Sequence, residues 1–129
     1  MGIAMHKRQE KTVPTLLELV LRMEGDFRRI LEPIRVTPLQ AGVILYLQRH
    51  IETKLTDAAT ALSVRSPTLS GVVNDLVRKR WVTKRRSLTD SRAVCLSLSR
   101  QGEALARRIK DHVRQVSTQI NYKIVAKQK

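Results

Sequence analysis

Small hydrogen-bonding side chains share one side of a helix predicted to begin around Ser66. Serine is a common helix cap, and Pro67 suits a first turn, where its missing amide proton removes no bond. At 3.6 residues per turn, the outer side of this helix carries no charge until its last turn. That side consists of Pro67, Ser70, Gly71, Asn74 and Arg78, with Thr68 at its flank. Hydroxyl and amide groups can hydrogen-bond to base edges and to phosphates, so this side has the chemistry to bind nucleic acid.

The opposite side of the same helix is apolar and is expected to face a core. It consists of Leu69, Val72, Val73, Leu76 and Val77. On the outer side, Asn74 could make the bidentate amide contact that adenine accepts. Gly71 costs about 1 kcal/mol relative to alanine in an exposed helix. It is therefore either merely tolerated or used to bring the helix close to a base or phosphate.

The overall charge indicates a polyanionic partner. The chain has 25 Lys and Arg against 11 Asp and Glu, a net charge of +14. Such an excess favours a nucleic acid, here predicted to be double-stranded DNA, over the competing interpretation, an acidic membrane surface. No apolar run approaches the roughly 18 residues of a membrane span, and the N-terminus has no signal-peptide pattern. We therefore expect a cytoplasmic protein without a membrane partner.

The sequence offers no catalytic or metal-binding pattern. A single cysteine, Cys95, excludes an internal disulfide, and His6, His50 and His112 lack the spacing of metal ligands. Neither a phosphate-binding glycine loop nor a nucleophile elbow is present. We expect no enzyme, no catalytic residue, no metal and no cofactor.

The helix from Ser66 follows a shorter one, as in a helix-turn-helix. An alanine-rich helix from Asp57 to Leu62, capped by Thr56, is joined to it by a tight connection at residues 63–65. After Arg80 the hydrophobic period changes from about 3.6 to 2, which predicts strands at 81–86 and 92–99 with a turn at 87–91. This hairpin is expected to act as a wing.

Positive charge concentrates where the helix and the wing would meet phosphate. Residues 65–92 contain eight basic and two acidic residues. Besides Arg78, the predicted DNA contacts among them are Arg65, Lys84, Arg85, Arg86 and Arg92.

The two ends of the chain are predicted to be long amphipathic helices. About twenty residues of apolar stripe exceed what a small winged domain can cover, so pairing with a second copy is expected. The predicted interface residues are Leu16, Leu17, Val20 and Leu21 in the first helix and Val113, Val116 and Ile120 in the last.

The expected fold class is mainly α with a small β-hairpin wing (α+β), a winged helix-turn-helix with long terminal dimerisation helices. At 129 residues the chain makes one domain. Its parts are a basic arm (1–11), a dimerisation helix (12–33), a winged helix-turn-helix lobe for DNA binding (37–99) and a C-terminal dimerisation helix (100–129).

The order of elements and several local signatures resemble the MarR family of bacterial and archaeal transcription regulators. The resemblance covers about Thr37 to Leu105. It is carried by T-P-L-Q-A-G-V-I-L-Y-L, by S-P-T-L-S-G-V-V-N-D-L and by D-S-R-A-V-C-L-S-L-S-R-Q-G. No single string is diagnostic, but together, in this order and spacing, they are fairly specific. The terminal helices match in length and amphipathicity alone.

The resemblance implies a homodimer of winged helix-turn-helix subunits. Together with the residues above, it predicts a transcription regulator on a pseudo-palindromic DNA site, with a repressor favoured over an activator. The recognition helices would lie in successive major grooves, with Ser66, Pro67, Thr68 and Ser70 meeting bases and phosphates. Asp90 and Arg92 match the Asp-x-Arg pattern of the family's wing, which implies that Arg92 enters a minor groove. Members of the family often respond to a small-molecule effector.

Three positions depart from the family's pattern. Ser91 stands where many members have a second arginine, Gly71 where a larger polar residue is common, and Arg80 where a glycine often ends the helix. The first two put the identity of the base contacts in doubt. Two other functions stay open: a sequence-nonspecific nucleic-acid-binding or nucleoid protein, and a winged-helix module that binds an acidic protein.

Overall fold

The computed structural model describes the backbone of residues 2–128 and the side chains of residues 15–114. The helices are α1 (Gly2–Leu31), a 3-10 helix (Glu32–Ile34), α2 (Pro38–Arg49), α3 (Leu55–Ala61), α4 (Ser66–Arg78) and α5 (Arg100–Gln128). The strands are β1 (Thr53–Lys54), β2 (Val82–Arg86) and β3 (Val94–Leu98), which form an antiparallel sheet in the order β1-β3-β2. The winged helix-turn-helix predicted from the sequence is confirmed.

Helix α1 begins at Gly2 rather than at Thr12, so the prediction of an arm over residues 1–11 differs from the structure. Residues 3–12 contain no glycine or proline and are rich in strong helix formers, and the helix extends through them although Pro14 then lies in its interior. At the other end, the α-helix stops at Leu31 and Pro33 lies in the 3-10 helix, as the proline predicted.

Helix α2 begins at Pro38, directly after the N-cap residue Thr37. The Thr37 hydroxyl accepts a hydrogen bond from the Gln40 amide at 3.1 Å, and the Gln40 side-chain oxygen accepts one from the Thr37 amide at 3.0 Å. This reciprocal capping box satisfies two amide donors that the helix leaves unpaired.

The predicted caps of α3 and α4 are wrong by one or two residues. Lys54, rather than Thr56, precedes α3, because it is still paired with Cys95 as the last residue of β1. Arg65, rather than Ser66, is the N-cap of α4, because its carbonyl accepts the first helical hydrogen bond, from the Leu69 amide at 2.9 Å. Neither helix has a side-chain cap. The Ser66 hydroxyl is therefore not used as a cap.

Helix α4 ends in a Schellman motif without glycine. The Arg80 amide donates to the Val77 carbonyl at 2.9 Å, and the Trp81 amide donates to the Leu76 carbonyl at 3.0 Å. This pattern requires a left-handed backbone at Arg80, whose φ is 62°. Arg80, which departs from the family's pattern, thus has a backbone conformation that glycine adopts at lower cost.

Replacing Arg80 with glycine should therefore stabilise the protein. The left-handed conformation costs a residue with a Cβ roughly 1 kcal/mol or more, which predicts a rise of about 4 °C in Tm by thermal unfolding. Arg80→Ala is the control, because it removes the same charge and keeps the conformational cost. An equal rise in both variants would show that loss of the side chain, and not relief of the backbone, is responsible.

The sheet contains one strand that the sequence did not predict. Strand β1 pairs Thr53 with Leu96 and Lys54 with Cys95, in a stretch for which the sequence predicted no strand. Two residues are too short for an alternating pattern to be visible. The predicted hairpin is confirmed, with β2 and β3 paired from Val82 and Leu98 to Arg86 and Val94.

The core of the subunit lies between the helix-turn-helix, the sheet and the inner ends of the long helices. In α4, Leu69, Val73 and Leu76 are buried, while Val72 and Val77 are partly buried against them, which confirms the predicted apolar side. The other largest fully buried side chains are Leu31, Val43, Ile44, Leu47, Val82, Leu96 and Ile109.

The apolar stripe at the start of the described part of α1 is not covered by the subunit. Leu16, Leu17, Val20 and Leu21 are between 56% and 67% exposed. On α5, Val113 is partly buried, and the side chains of Val116 and Ile120 lie outside the described residues. In the described part of the chain no single helix is long and apolar enough to cross a membrane.

Candidate nucleic-acid interface

The outer side of α4 is open to solvent. Pro67, Thr68, Gly71 and Asn74 are exposed, and Ser70 is half-buried. A Cβ built on Gly71 would meet no atom within 4 Å. The subunit itself therefore gives no packing reason for a glycine at this position.

Replacing Gly71 with alanine should separate stability from binding. Because the site has room and the residue is helical, the variant should be about 1 kcal/mol more stable in chemical unfolding. Its affinity for DNA should fall, because the added methyl group would hold the helix away from the groove. Gly42→Ala is the control, since Gly42 is also helical and has no atom within 4 Å of its built Cβ. Unchanged affinity in Gly71→Ala would show that the glycine is merely tolerated.

A hydrogen bond joins the wing to this side of α4. The Lys84 ammonium donates to the side-chain oxygen of Asn74 at 3.1 Å. Since side chains alternate along a strand, Lys84 and Arg86 lie on the same face of β2 as the buried Val82. The structure thus brings part of the wing next to the residues predicted to contact bases.

The third predicted contact on this strand faces the other way. Arg85 lies on the opposite face of β2 from Lys84, and its guanidinium forms an ion pair with Glu52, just before β1. Both side chains of this pair are about half exposed, so it contributes little stability. The structure therefore does not bring Arg85 together with Lys84 and Arg86.

Hydrogen bonds between neighbouring residues hold the tip of the wing. The Ser87 hydroxyl accepts from the amides of Thr89 and Asp90, each at 3.3 Å. The Asp90 carboxylate accepts from the Arg92 amide at 3.0 Å. This hydrogen bond fixes the turn, and the Asp90 carboxylate forms no ion pair with the Arg92 guanidinium. The exposed Arg92 side chain has no ion-pair partner among the described residues.

Two more predicted contacts lie at the ends of α4. Arg65 is exposed at the start of the helix, and Arg78 is exposed at its end, where it forms an ion pair with Asp75. The structure also adds a cation that was not among the predicted DNA contacts. Lys54 lines an open cleft of about 380 Å³ together with Asp90 and Arg92. No sequence signal pointed to Lys54, because β1 was not predicted.

A second cleft lies away from α4. It has a volume of about 470 Å³ and is lined by Arg28, Glu32, Arg35, Val36 and Thr37, where α1 ends and α2 begins. Among residues 15–114, no group of three or more His, Cys, Asp or Glu side chains is placed to hold a metal ion.

Residues 36–93 match the model of the MarR family. The match begins between the 3-10 helix and α2, and it covers the helix-turn-helix and the wing up to Ala93. A comparison with curated proteins gives no match.

Three solved structures illustrate the similarity. MepR of S. aureus in complex with DNA is 20% identical, with 86% of this chain and 82% of that chain covered and a TM-score of 0.81. The transcriptional repressor CouR, bound to a 23-mer DNA duplex, is 25% identical, with 88% and 80% covered and a TM-score of 0.80. BpsR of Bordetella bronchiseptica, whose DNA binding is regulated by 6-hydroxynicotinic acid, is 21% identical, with 81% and 75% covered and a TM-score of 0.76.

Proposed function

We propose that this chain, which belongs to the MarR family of transcription regulators, is a dimeric repressor that binds a specific pseudo-palindromic site in double-stranded DNA. In each subunit, α4 lies in a major groove and the wing reaches the adjacent minor groove. The two half-sites are about one helical turn apart.

The observation that carries this proposal is the contact between Lys84 and Asn74, which makes α4 and the wing parts of one surface. The α4 part offers small uncharged groups at Thr68, Ser70 and Gly71, and open space above the glycine. Such groups allow the close approach that hydrogen bonding to base edges requires.

Apart from Lys84, the predicted cations lie around this surface. Arg86 shares the face of Lys84, and Arg65 and Arg78 are exposed at the ends of α4. Cations at these places suit contacts to phosphates, which fix position and orientation without reading sequence. Arg92, exposed on a braced turn, suits a narrow minor groove, whose negative potential attracts arginine.

Dimerisation is supported by the exposed apolar stripe of α1. Four large apolar side chains that are each more than half exposed form a patch of the kind that marks an interface. A second copy would cover it through the same patch, which is the symmetry that a two-fold DNA site requires.

The second candidate, a sequence-nonspecific nucleic-acid-binding protein, is favoured by the net charge of +14. Charge of this size supports binding to any duplex through counterion release. The two candidates make opposite predictions about sequence preference.

Selection of bound duplexes from a random pool at physiological salt distinguishes them. The proposed regulator should enrich a motif with two-fold symmetry and half-sites about one helical turn apart. The nonspecific binder should retain duplexes without a motif. Absence of an enriched two-fold motif would overturn the proposal.

A small-molecule effector and a cytoplasmic location stay predictions. The cleft of about 470 Å³ lies at the junction between α1 and the lobe that carries α4, and its charged lining residues are Arg28, Glu32 and Arg35. Arg28 pairs with Glu24 at 2.7 Å, so Arg35 is the cation that the cleft offers to an anionic effector. The similarity to BpsR supports testing small aromatic acids for a change in DNA affinity.

A further inference from the structure

The side-chain amide of Asn74 is oriented by Lys84. An ammonium group has three donors and no acceptor, so the Asn74 atom 3.1 Å from it must be the carbonyl oxygen. The amide nitrogen then points away from the wing with both of its protons unused by this contact. Asn74 is exposed on α4 one turn after Ser70, on the side predicted to bind bases.

This orientation changes what Asn74 can read. The bidentate contact to adenine needs the amide nitrogen to donate to N7 and the amide oxygen to accept from N6. At Asn74 the oxygen already accepts from a cation, which repels the positively polarised N6 amino group. Guanine instead presents two neighbouring acceptors, N7 and O6, to the two free amide protons.

We infer that Lys84 is a specificity-determining residue, which orients Asn74 as a donor and directs it to guanine instead of adenine. The inference rests on the proposed function, since it requires α4 to lie in a major groove. Lys84 acts through Asn74 and is a positioning residue. Its effect is therefore a change in base preference and not simply a loss of affinity.

The chain offers a matched control for the lost charge. Arg86 lies two residues along β2 on the same face as Lys84 and is also exposed. Lys84→Met and Arg86→Met each remove one positive charge and keep an unbranched apolar stem. Both variants should weaken binding to all sequences and reduce its salt dependence by a similar amount. Only Lys84→Met removes the hydrogen bond to Asn74.

The test repeats the selection of duplexes with the full-length protein and with Asn74→Ala, Lys84→Met and Arg86→Met. Asn74 reads the position in each half-site at which the Asn74→Ala variant no longer prefers one base. The unaltered protein should prefer guanine over adenine there by about tenfold. Lys84→Met should move the preference to adenine, while Arg86→Met should keep guanine.

Several outcomes would overturn the inference and leave the proposed function intact. The inference fails if the unaltered protein prefers adenine at that position, or if Lys84→Met still prefers guanine there. It also fails if Arg86→Met shifts the preference to adenine as well, or if Asn74→Ala keeps its base preference at every position. If the unaltered protein enriches no motif, it is the proposed function that fails. Thermal unfolding of each variant checks that a changed preference comes from a folded protein.

Discussion

Replacing Leu17 and Leu21 together with glutamate should convert the protein to a monomer and reduce its affinity for a two-fold DNA site at least about a hundredfold. The affinity falls because the two recognition helices are no longer linked, and linkage of two binding modules raises affinity by about 10²–10⁴. The two side chains are 62% and 67% exposed, so the subunit does not need them for its own core. Sedimentation gives the oligomeric state, and titration of a two-fold duplex gives the affinity.

The control for this variant is Arg22→Glu. It makes the same change of two charge units in the same helix, and at about 100° per residue Arg22 lies across the helix from the exposed stripe. Arg22→Glu should remain a dimer and lose only the affinity that the charge change removes. A double leucine variant that stays dimeric would show that this stripe is not the interface.

Replacing Gly102 with alanine should destabilise the protein by about 3 kcal/mol, as expected for overpacking against backbone. A Cβ built on Gly102 would lie 2.1 Å from the carbonyl oxygen of Trp81, closer than any contact a real Cβ makes. The backbone is held by hydrogen bonds at both Trp81 and Gly102. The Trp81 carbonyl accepts from the Ser99 amide at 3.0 Å, and the Gly102 amide donates to the Ser99 hydroxyl at 3.0 Å.

Chemical unfolding measures this effect, and Gly25→Ala is the matched control. Gly25 is also helical, but a Cβ built on it meets nothing within 4 Å, so alanine should stabilise there by about 1 kcal/mol. If Gly102→Ala were as stable as Gly25→Ala, α5 would have to start further from Trp81 than the structure places it.

The sequence predicted those elements that local signals specify. Thr37 followed by Pro38 marks the start of α2, and in the structure Thr37 caps this helix. The return hydrogen bond from the Thr37 amide to the Gln40 side chain was not predicted. Ser99 is likewise a local cap, because its hydroxyl accepts a hydrogen bond from the Gly102 amide in the first turn of α5. The change from a period of 3.6 to one of 2 after Arg80 likewise marked the wing correctly.

The sequence could not predict features that depend on distant parts of the chain. Strand β1 forms because Thr53 meets Leu96, more than forty residues away. The contact between Lys84 and Asn74 depends on how the wing folds back on α4, and it altered the base expected at Asn74. The left-handed conformation of Arg80 was hidden because the sequence has a long basic side chain where glycine would have revealed it.

The central claim, that α4 and the wing form one surface specific for duplex DNA, is tested most directly by a ratio of affinities. The measurement compares the dissociation constant for the selected two-fold duplex with that for a scrambled duplex of equal length at physiological salt. The account predicts a ratio of at least about a thousandfold, the lower end for sequence-specific DNA-binding proteins. A ratio near one, with both affinities falling steeply as salt rises, would contradict it.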